Sequence, residues 1–309
     1  MATKIVFMGS PEFSLPTLEA LAEKHNLIGV VTQPDRPFGR GKKLQAPPVK
    51  LAAQELNLPI IQPQKMSDPT AFDQLRAWHP EVIVVAAFGQ ILKPDVLELP
   101  MFGCINVHAS LLPRWRGAAP IQAAILNNDK RTGITIMRMD PGVDTGPILR
   151  QRSTPIQPTE TAGLLSQRLA HIGAELLLDT LPGYLINEII PQNQDDSEAT
   201  YAPMLKKKDG KLDFTQPANV LARQVRAYNP WPGTYTRWKN KILKIHTANT
   251  SPKYVNYGRK TNPGQRTQFQ EKPAIVTREG LLILETVQPE GKRIMSGSEF
   301  LLGARDWLE

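Results

Sequence analysis

Cysteine is almost absent from this 309-residue chain, with Cys104 the single example. One cysteine excludes an internal disulfide and fits a reducing compartment. Long apolar runs are missing as well. The longest, over 82–88, is far too short to cross a bilayer. The N-terminus shows no basic segment followed by a long apolar core, so no secretory signal is visible and the cytoplasm is the expected location. The five histidines lie at no metal-ligand spacing from each other or from Cys104, and no metal is expected. Internal repeats are lacking too. What is present is ordinary for a globular protein, 41% hydrophobic and 21% charged, so a sizeable core is possible. At 309 residues, two domains are the default expectation.

Charge is unevenly placed. Residues 1–205 carry 18 Lys and Arg against 20 Asp and Glu, a net of −2. Residues 206–309 carry 19 against 9, a net of +10. Such asymmetry points to a polyanionic partner for the basic part, with a merely soluble basic surface as the plain alternative.

The chain opens with a compact apolar strand over 4–8, a helix to about 24 and a second strand over 27–32. A strand–helix–strand unit of this length implies parallel pairing. The turn Gly9-Ser10-Pro11 lacks the three-glycine fingerprint that lets backbone approach a pyrophosphate, so NAD binding is disfavoured. The stretch 33–43 holds two prolines, two glycines and four basic residues, and reads as a surface loop. Helices are expected over 49–56, 70–78 and 119–127, with strands over 59–61, 82–87 and 133–139. The run 82–87 is apolar throughout, as a strand covered on both faces should be. Leu164, Leu165, Leu169, Ile172 and Leu176 recur at helical spacing within 161–181. The polar, unpatterned residues after 190 read as a linker. Beyond a helix over 217–228, short strands over 233–239, 242–247, 274–277 and 281–287 alternate with turns, as in a small β-barrel.

Chemistry concentrates in one place. Asn106 and His108 are two apart, so on a strand both side chains take the same face. In open α/β sheets, ligands bind where strands end and loops begin. Alone, such a pair is more often structural than catalytic. Asp144 could simply be a turn residue bonding its own backbone. Cys104 packs as a small hydrophobe in the plain reading, and Arg114 and Arg116 could form a solvated face.

The run Ser110-Leu111-Leu112-Pro113 followed by Gly117 resembles the signature of the folate-dependent formyltransferases. In that family an Asn and a His before the signature are catalytic, with an Asp in a Gly-Xaa-Asp-Thr-Gly context; here that is Gly142-Val143-Asp144-Thr145-Gly146. The resemblance implies Asn106, His108 and Asp144 as catalytic residues, 10-formyltetrahydrofolate as formyl-donor cosubstrate, and Ser110, Leu111, Leu112 and Pro113 as folate-binding residues. It further implies that the loop Phe88-Gly89-Gln90-Ile91-Leu92 walls the pterin pocket. Formyl transfer needs stabilisation of negative charge on the formyl oxygen, which an Asn amide supplies for about 3 kcal/mol of barrier. It also needs proton movement, which His108 can perform. Asp144 can orient His108 or handle protons through a water; both routes stay open.

The resemblance spans nearly the whole chain and is strongest to members whose acceptor is initiator methionyl-tRNA. It implies that Arg36, Arg40, Lys42 and Lys43 contact tRNA. Asn229-Pro230-Trp231-Pro232-Gly233 and Gly291-Lys292-Arg293-Ile294-Met295-Ser296 resemble that branch's C-terminal domain. The Lys/Asn/Gln-rich stretch 252–270 departs from the pattern. The expected architecture is α/β, a Rossmann-like open, mostly parallel sheet with a second, smaller OB-like β-barrel domain. The expected divisions are a catalytic domain over 1–189, a linker over 190–208 and a tRNA-binding barrel over 209–309, in a monomer with no membrane partner. The competing expectations are a formyltransferase acting on an amino-sugar nucleotide or another small amine, and a non-catalytic RNA-binding protein.

Overall fold

Proline is common in this chain, 28 residues in all, and the fold places several of them where the missing N–H does no harm. Helices α1 (Leu15–Lys24), α2 (Pro48–Glu55), α3 (Pro69–Ala77) and α4 (Pro94–Leu97) each carry one in the first two positions. Asp68 caps α3, its carboxylate accepting from the backbone N–H groups of Thr70 (2.9 Å) and Ala71 (3.4 Å). A computed structural model describes residues 2–38, 41, 43–252 and 262–308. They form two compact units: Met1–Pro120, Arg131–Pro155 and Ser166–Ala202 make the first, and Ile121–Lys130, Ile156–Leu165 and Pro203–Glu309 the second.

In the first unit, β1 (Lys4–Gly9) and β2 (Asn26–Val31) pair in parallel across α1. Then β3 (Arg36–Phe38) and β4 (Lys43–Gln45) form a hairpin inside the stretch that reads as an irregular loop. Three residues a strand are too few for alternation to register in sequence. The strands β5 (Ile60–Ile61), β6 (Val82–Ala86) and β7 (Cys104–His108) follow, then the two-residue β8 (Arg116–Gly117); helix α5 (Pro120–Leu126), next in the chain, falls in the second unit from Ile121 on. Next come β9 (Arg131–Arg138), β10 (Ile148–Pro155), helix α6 (Ala162–Leu185) and the two-residue β11 (Tyr201–Ala202).

The main sheet runs β10-β9-β7-β6-β1-β2-β5. Pairing is parallel from β7 to β5, while β9 and β10 add an antiparallel edge. Every residue of β6 is buried, as its unbroken apolar run requires. Met8, Val31, Ile83, Val85, Leu75 and Cys104 belong to one apolar cluster of this unit. The sheet is therefore Rossmann-like and mostly parallel. Helix α6 passes Pro182, where the sequence suggests a stop, and continues to Leu185. Its last turn is anchored by buried Leu181 and by Tyr184, whose hydroxyl donates to Phe102 O at 2.8 Å. Packing outweighs the one lost backbone bond.

The second unit is an antiparallel β domain. Helix α7 (Ala218–Ala227) precedes β12 (Thr234–Trp238), β13 (Lys241–Ser251), β14 (Arg266–Phe269), β15 (Lys272–Val276), β16 (Leu281–Pro289), β17 (Met295–Ser296) and helix α8 (Gly297–Gly303). Among the described residues the ladder runs β12-β13-β16-β15-β14, with β17 on β16. Leu221, Val225, Leu243, Leu282, Phe300 and Trp307 share its core. Neither β14 nor α8 is foreseen from sequence, because each is short and bounded by polar residues. Among the described residues no helix is long and apolar enough to cross a membrane.

Candidate active site

The strand register puts Asn106 opposite Met137 and His108 opposite Thr135 across β7 and β9. The loop between β9 and β10 returns to the same face and delivers Asp144. Its carboxylate accepts from Asn106 Nδ2 at 3.3 Å through Oδ1 and from Gly117 N at 2.8 Å through Oδ2. His108 Nδ1 lies 3.6 Å from Oδ2. The other ring nitrogen, Nε2, is 3.1 Å from Trp115 O, and since a carbonyl only accepts, Nε2 is the donor there. The imidazole is thus held by a backbone carbonyl on one side and faces a carboxylate on the other. The His108 side chain is 6% exposed and that of Asp144 16%, so both meet a reduced dielectric while one edge stays open. Beyond its bond to Asp144, the Asn106 amide has no hydrogen-bond partner among the described residues.

The Asp144 loop is tightly built. Asp140 Oδ1 accepts from Gly142 N at 3.1 Å and Thr145 Oγ1 at 2.7 Å. Gly146 sits where any Cβ would lie 2.0 Å from Arg138 O, so only glycine lets the chain turn into β10. Asp144 itself adopts φ +53°, a left-handed conformation that Asp tolerates better than most residues.

The segment 110–113 links β7 to this assembly. Thr135 Oγ1 donates to Ser110 O (2.7 Å) and accepts from Leu112 N (3.1 Å) and Gln151 Nε2 (2.8 Å). Gln151 also donates to Leu112 O at 2.8 Å. Ser110 Oγ donates to Arg114 O at 2.6 Å, closing the turn. Ser110 and Leu112 are buried, while Leu111 and Pro113 are half-buried. The loop after β6 buries Phe88 and Leu92 but leaves Ile91 83% exposed. Gln90 ties that loop down, donating to Pro63 O and accepting from Met66 N.

The basic hairpin contributes exposed Arg36 and Lys43. Arg36 Nη2 donates to Gln33 Oε1 at 2.8 Å, and Gln33 Nε2 donates to Phe88 O at 3.0 Å. Asp35 is gripped by Lys50 and Gln62, and these hydrogen bonds hold its carboxyl below the usual carboxylate range. Arg40 and Lys42 lie outside the described residues. Among the described residues no group of three or more His, Cys, Asp or Glu side chains is arranged to hold a metal ion. Cys104, beneath the site on β7, is buried, and burial pushes its thiol up to about 12. It is unsuited to act as a nucleophile.

Residues 3–181 match the family described as Formyl transferase, and residues 204–305 match Formyl transferase, C-terminal domain. The chain is 46% identical to a methionyl-tRNA formyltransferase of Myxococcus xanthus, over 97% of this chain and 95% of that one. It is 47% identical to one of Chloroflexus aurantiacus, over 97% and 96%. The chain belongs to the methionyl-tRNA formyltransferase family. Among solved structures, a sugar 3N-formyl transferase, WlaRD, superposes with a TM-score of 0.68 at 20% identity, covering 95% of this chain and all of that one. At that identity the likeness speaks for the fold alone. The family's fold is thus the one seen here, an α/β unit followed by an antiparallel β unit.

Several residues that shape the site escape sequence reading. Gly117 gives Asp144 a backbone N–H, Trp115 gives His108 a carbonyl, and Thr135 organises segment 110–113. Arg116, which could have been part of a solvated face, is 2% exposed. Its partners are Gln194 and Asp196, from the polar stretch that reads as a linker. The signal available was slight: an arginine between two residues of the signature, and glutamine and acidic residues some 80 positions later.

Proposed function

We propose that this chain transfers the formyl group of 10-formyltetrahydrofolate to the α-amino group of methionyl initiator tRNA. The observation that carries the reading is that Asn106 and His108, on one face of β7, each lie within 3.6 Å of the Asp144 carboxylate. The relatives at 46% and 47% identity, named methionyl-tRNA formyltransferases, support the choice of acceptor.

The residues present fit a formyl donor: the Asn106 amide keeps hydrogen-bonding capacity not used by other described residues, beside a histidine held between an acceptor and an anion. When bound, the donor supplies an activated formyl carbon. Asn106 then donates an N–H to the formyl oxygen as negative charge gathers there, the kind of preorganised contact worth about 3 kcal/mol of barrier. His108 donates to that oxygen or takes up the proton leaving the amine. Asp144 holds the Asn106 amide and the His108 ring in register, so little reorganisation is needed when charge develops. Segment 110–113 and the loop 88–92 form the wall for the reduced pterin. The bonds through Thr135 and Gln90 hold both without drawing on the three catalytic side chains.

Arg36, Arg40, Lys42 and Lys43 take the acceptor end of the tRNA, and the basic residues of 206–309 take its phosphates, contacts that fix position and affinity rather than base choice. We place the reaction in the cytoplasm and assign it to a single chain, with catalytic residues confined to 1–189, residues 190–208 connecting, and 209–309 holding tRNA. The test is incubation with 10-formyltetrahydrofolate and, separately, charged initiator tRNA, an amino-sugar nucleotide and glycinamide ribonucleotide. Formyl-methionyl-tRNA is the expected product. Formylation of a small amine alone would overturn the reading, and so would tight RNA binding with no transfer to any acceptor.

A further inference from the structure

Gln194 is fully used by its surroundings. Its Nε2 donates to two backbone carbonyls of the catalytic loop, Asp144 O at 2.9 Å and Gly146 O at 2.7 Å. Its Oε1 accepts twice from Arg116, from Nε at 3.0 Å and Nη2 at 2.8 Å. Two donors and two acceptors are the whole capacity of a carboxamide. Arg116 is 2% exposed, and its Nη2 also donates to Asp196 Oδ1 at 2.8 Å. A buried guanidinium has no acceptable arrangement without such partners.

The neighbours of Arg116 give this bracket its meaning. Trp115 accepts from His108 through its carbonyl, and Gly117 donates to Asp144 through its N–H. The segment 115–117 is itself held by the segment carrying Gln194: Trp115 N donates to Thr200 Oγ1 at 2.9 Å, Arg116 N to Thr200 O at 2.8 Å, and Tyr201–Ala202 pairs with Arg116–Gly117. Gly117, at φ +115°, passes so close that a Cβ there would lie 2.7 Å from Ala202 O. One side chain therefore ties together the loop that presents the carboxylate and the segment that contacts both carboxylate and imidazole.

We infer that Gln194 is a positioning residue for formyl transfer, clamping the Asp144 loop to the Trp115–Gly117 segment so that the carboxylate keeps its place between Asn106 and His108. The inference rests on the functional reading above and extends it to the polar segment 190–202. Gln194 touches no substrate in this role. It acts by holding the backbone at Asp144, which sits in the left-handed conformation at φ +53°. A displacement near 1 Å in such a constellation lowers turnover by up to about 100-fold.

The test compares the full chain with its Gln194→Leu and Gln194→Glu variants. Leucine removes all four bonds. Glutamate is isosteric and keeps an acceptor for Arg116, but sets an oxygen against the two carbonyls. Two readouts are taken: amide hydrogen exchange at Gly117, followed by NMR, and steady-state formylation of methionyl-tRNA. In both variants the Gly117 amide is expected to exchange about tenfold faster or more, while Val84 and Ile105 in the sheet keep their protection. Turnover is expected to fall about tenfold or more, with KM for donor and tRNA within about threefold. Unchanged Gly117 exchange would overturn the inference. So would unchanged turnover, or a loss accompanied by equal deprotection of Val84 and Ile105, which would mark a purely structural tie. The exchange measurement needs no substrate. An inactive wild-type chain would therefore sink the functional reading alone, leaving Gly117 to decide the role of Gln194.

Discussion

Replacing Asp144 by asparagine tests the site most directly, because shape is kept while charge is removed. The carboxylate has three neighbours: Asn106 Nδ2 at 3.3 Å, Gly117 N at 2.8 Å and His108 Nδ1 at 3.6 Å. An asparagine carries one oxygen, so it can satisfy either Gly117 or Asn106 but sets its NH2 against the other's N–H. That leaves one donor unmatched in a mostly buried setting, a cost of about 1 to 3 kcal/mol. The lost charge matters more. A carboxylate and an imidazolium 3.6 Å apart attract by about 5 kcal/mol at an effective dielectric near 20, which is an upper limit for the pair. If half of that acts on the transition state, turnover falls by roughly two orders of magnitude. The assay is acid-gel separation of formylated from unformylated methionyl-tRNA under single-turnover conditions, with melting followed in parallel. Turnover within about threefold of wild type in a folded Asp144→Asn protein would refute the assignment.

Thr135→Val removes a hydroxyl shared by Ser110 O, Leu112 N and Gln151 at nearly constant volume. It should destabilise the first unit by about 2 to 4 kcal/mol, seen as a melting point lower by roughly 5 to 10 °C in calorimetry. Cys104 should stay unreactive towards a disulfide reagent at pH 8 and react fully in denaturant, since burial holds its thiol near 12. Folding favours its protonated form, so that contribution to stability is present below the ordinary thiol range and is lost as pH rises through it towards 12. Denaturant titrations across that range would show the decline. Arg40→Leu should weaken formylation of charged tRNA by about tenfold while leaving folate binding unchanged, the loss expected for one charge-assisted contact. Equal losses in both would remove Arg40 from tRNA recognition.

What could be read from sequence and what could not divide along a physical line. Strand β6 announced itself because burial on both faces demands an unbroken apolar run, and its five residues are all buried. Asn106 and His108 were legible as a pair because a strand's period of two is local, and the contacts of both with Asp144 agree with it. The signature Ser110-Leu111-Leu112-Pro113 and the glycine-flanked Asp144 point to the family from the sequence alone. The hairpin of β3 and β4, the strand β14 and the helix α8 were not legible, because elements of three to seven residues carry too little periodicity.

Composition and short-range pattern thus determined the uneven charge and the parallel α/β start, and the resemblance to the formyltransferase signature singled out Asn106, His108 and Asp144. Only tertiary structure decided which backbone groups hold them: Trp115 O on the imidazole, Gly117 N on the carboxylate, and Gln194, fifty residues from Asp144, bracing its loop. A buried arginine looks like a surface arginine in a sequence, and a glutamine in a polar stretch looks like solvent-facing chain. Their roles come from hydrogen bonds between segments far apart along the chain, and no local rule encodes such partners.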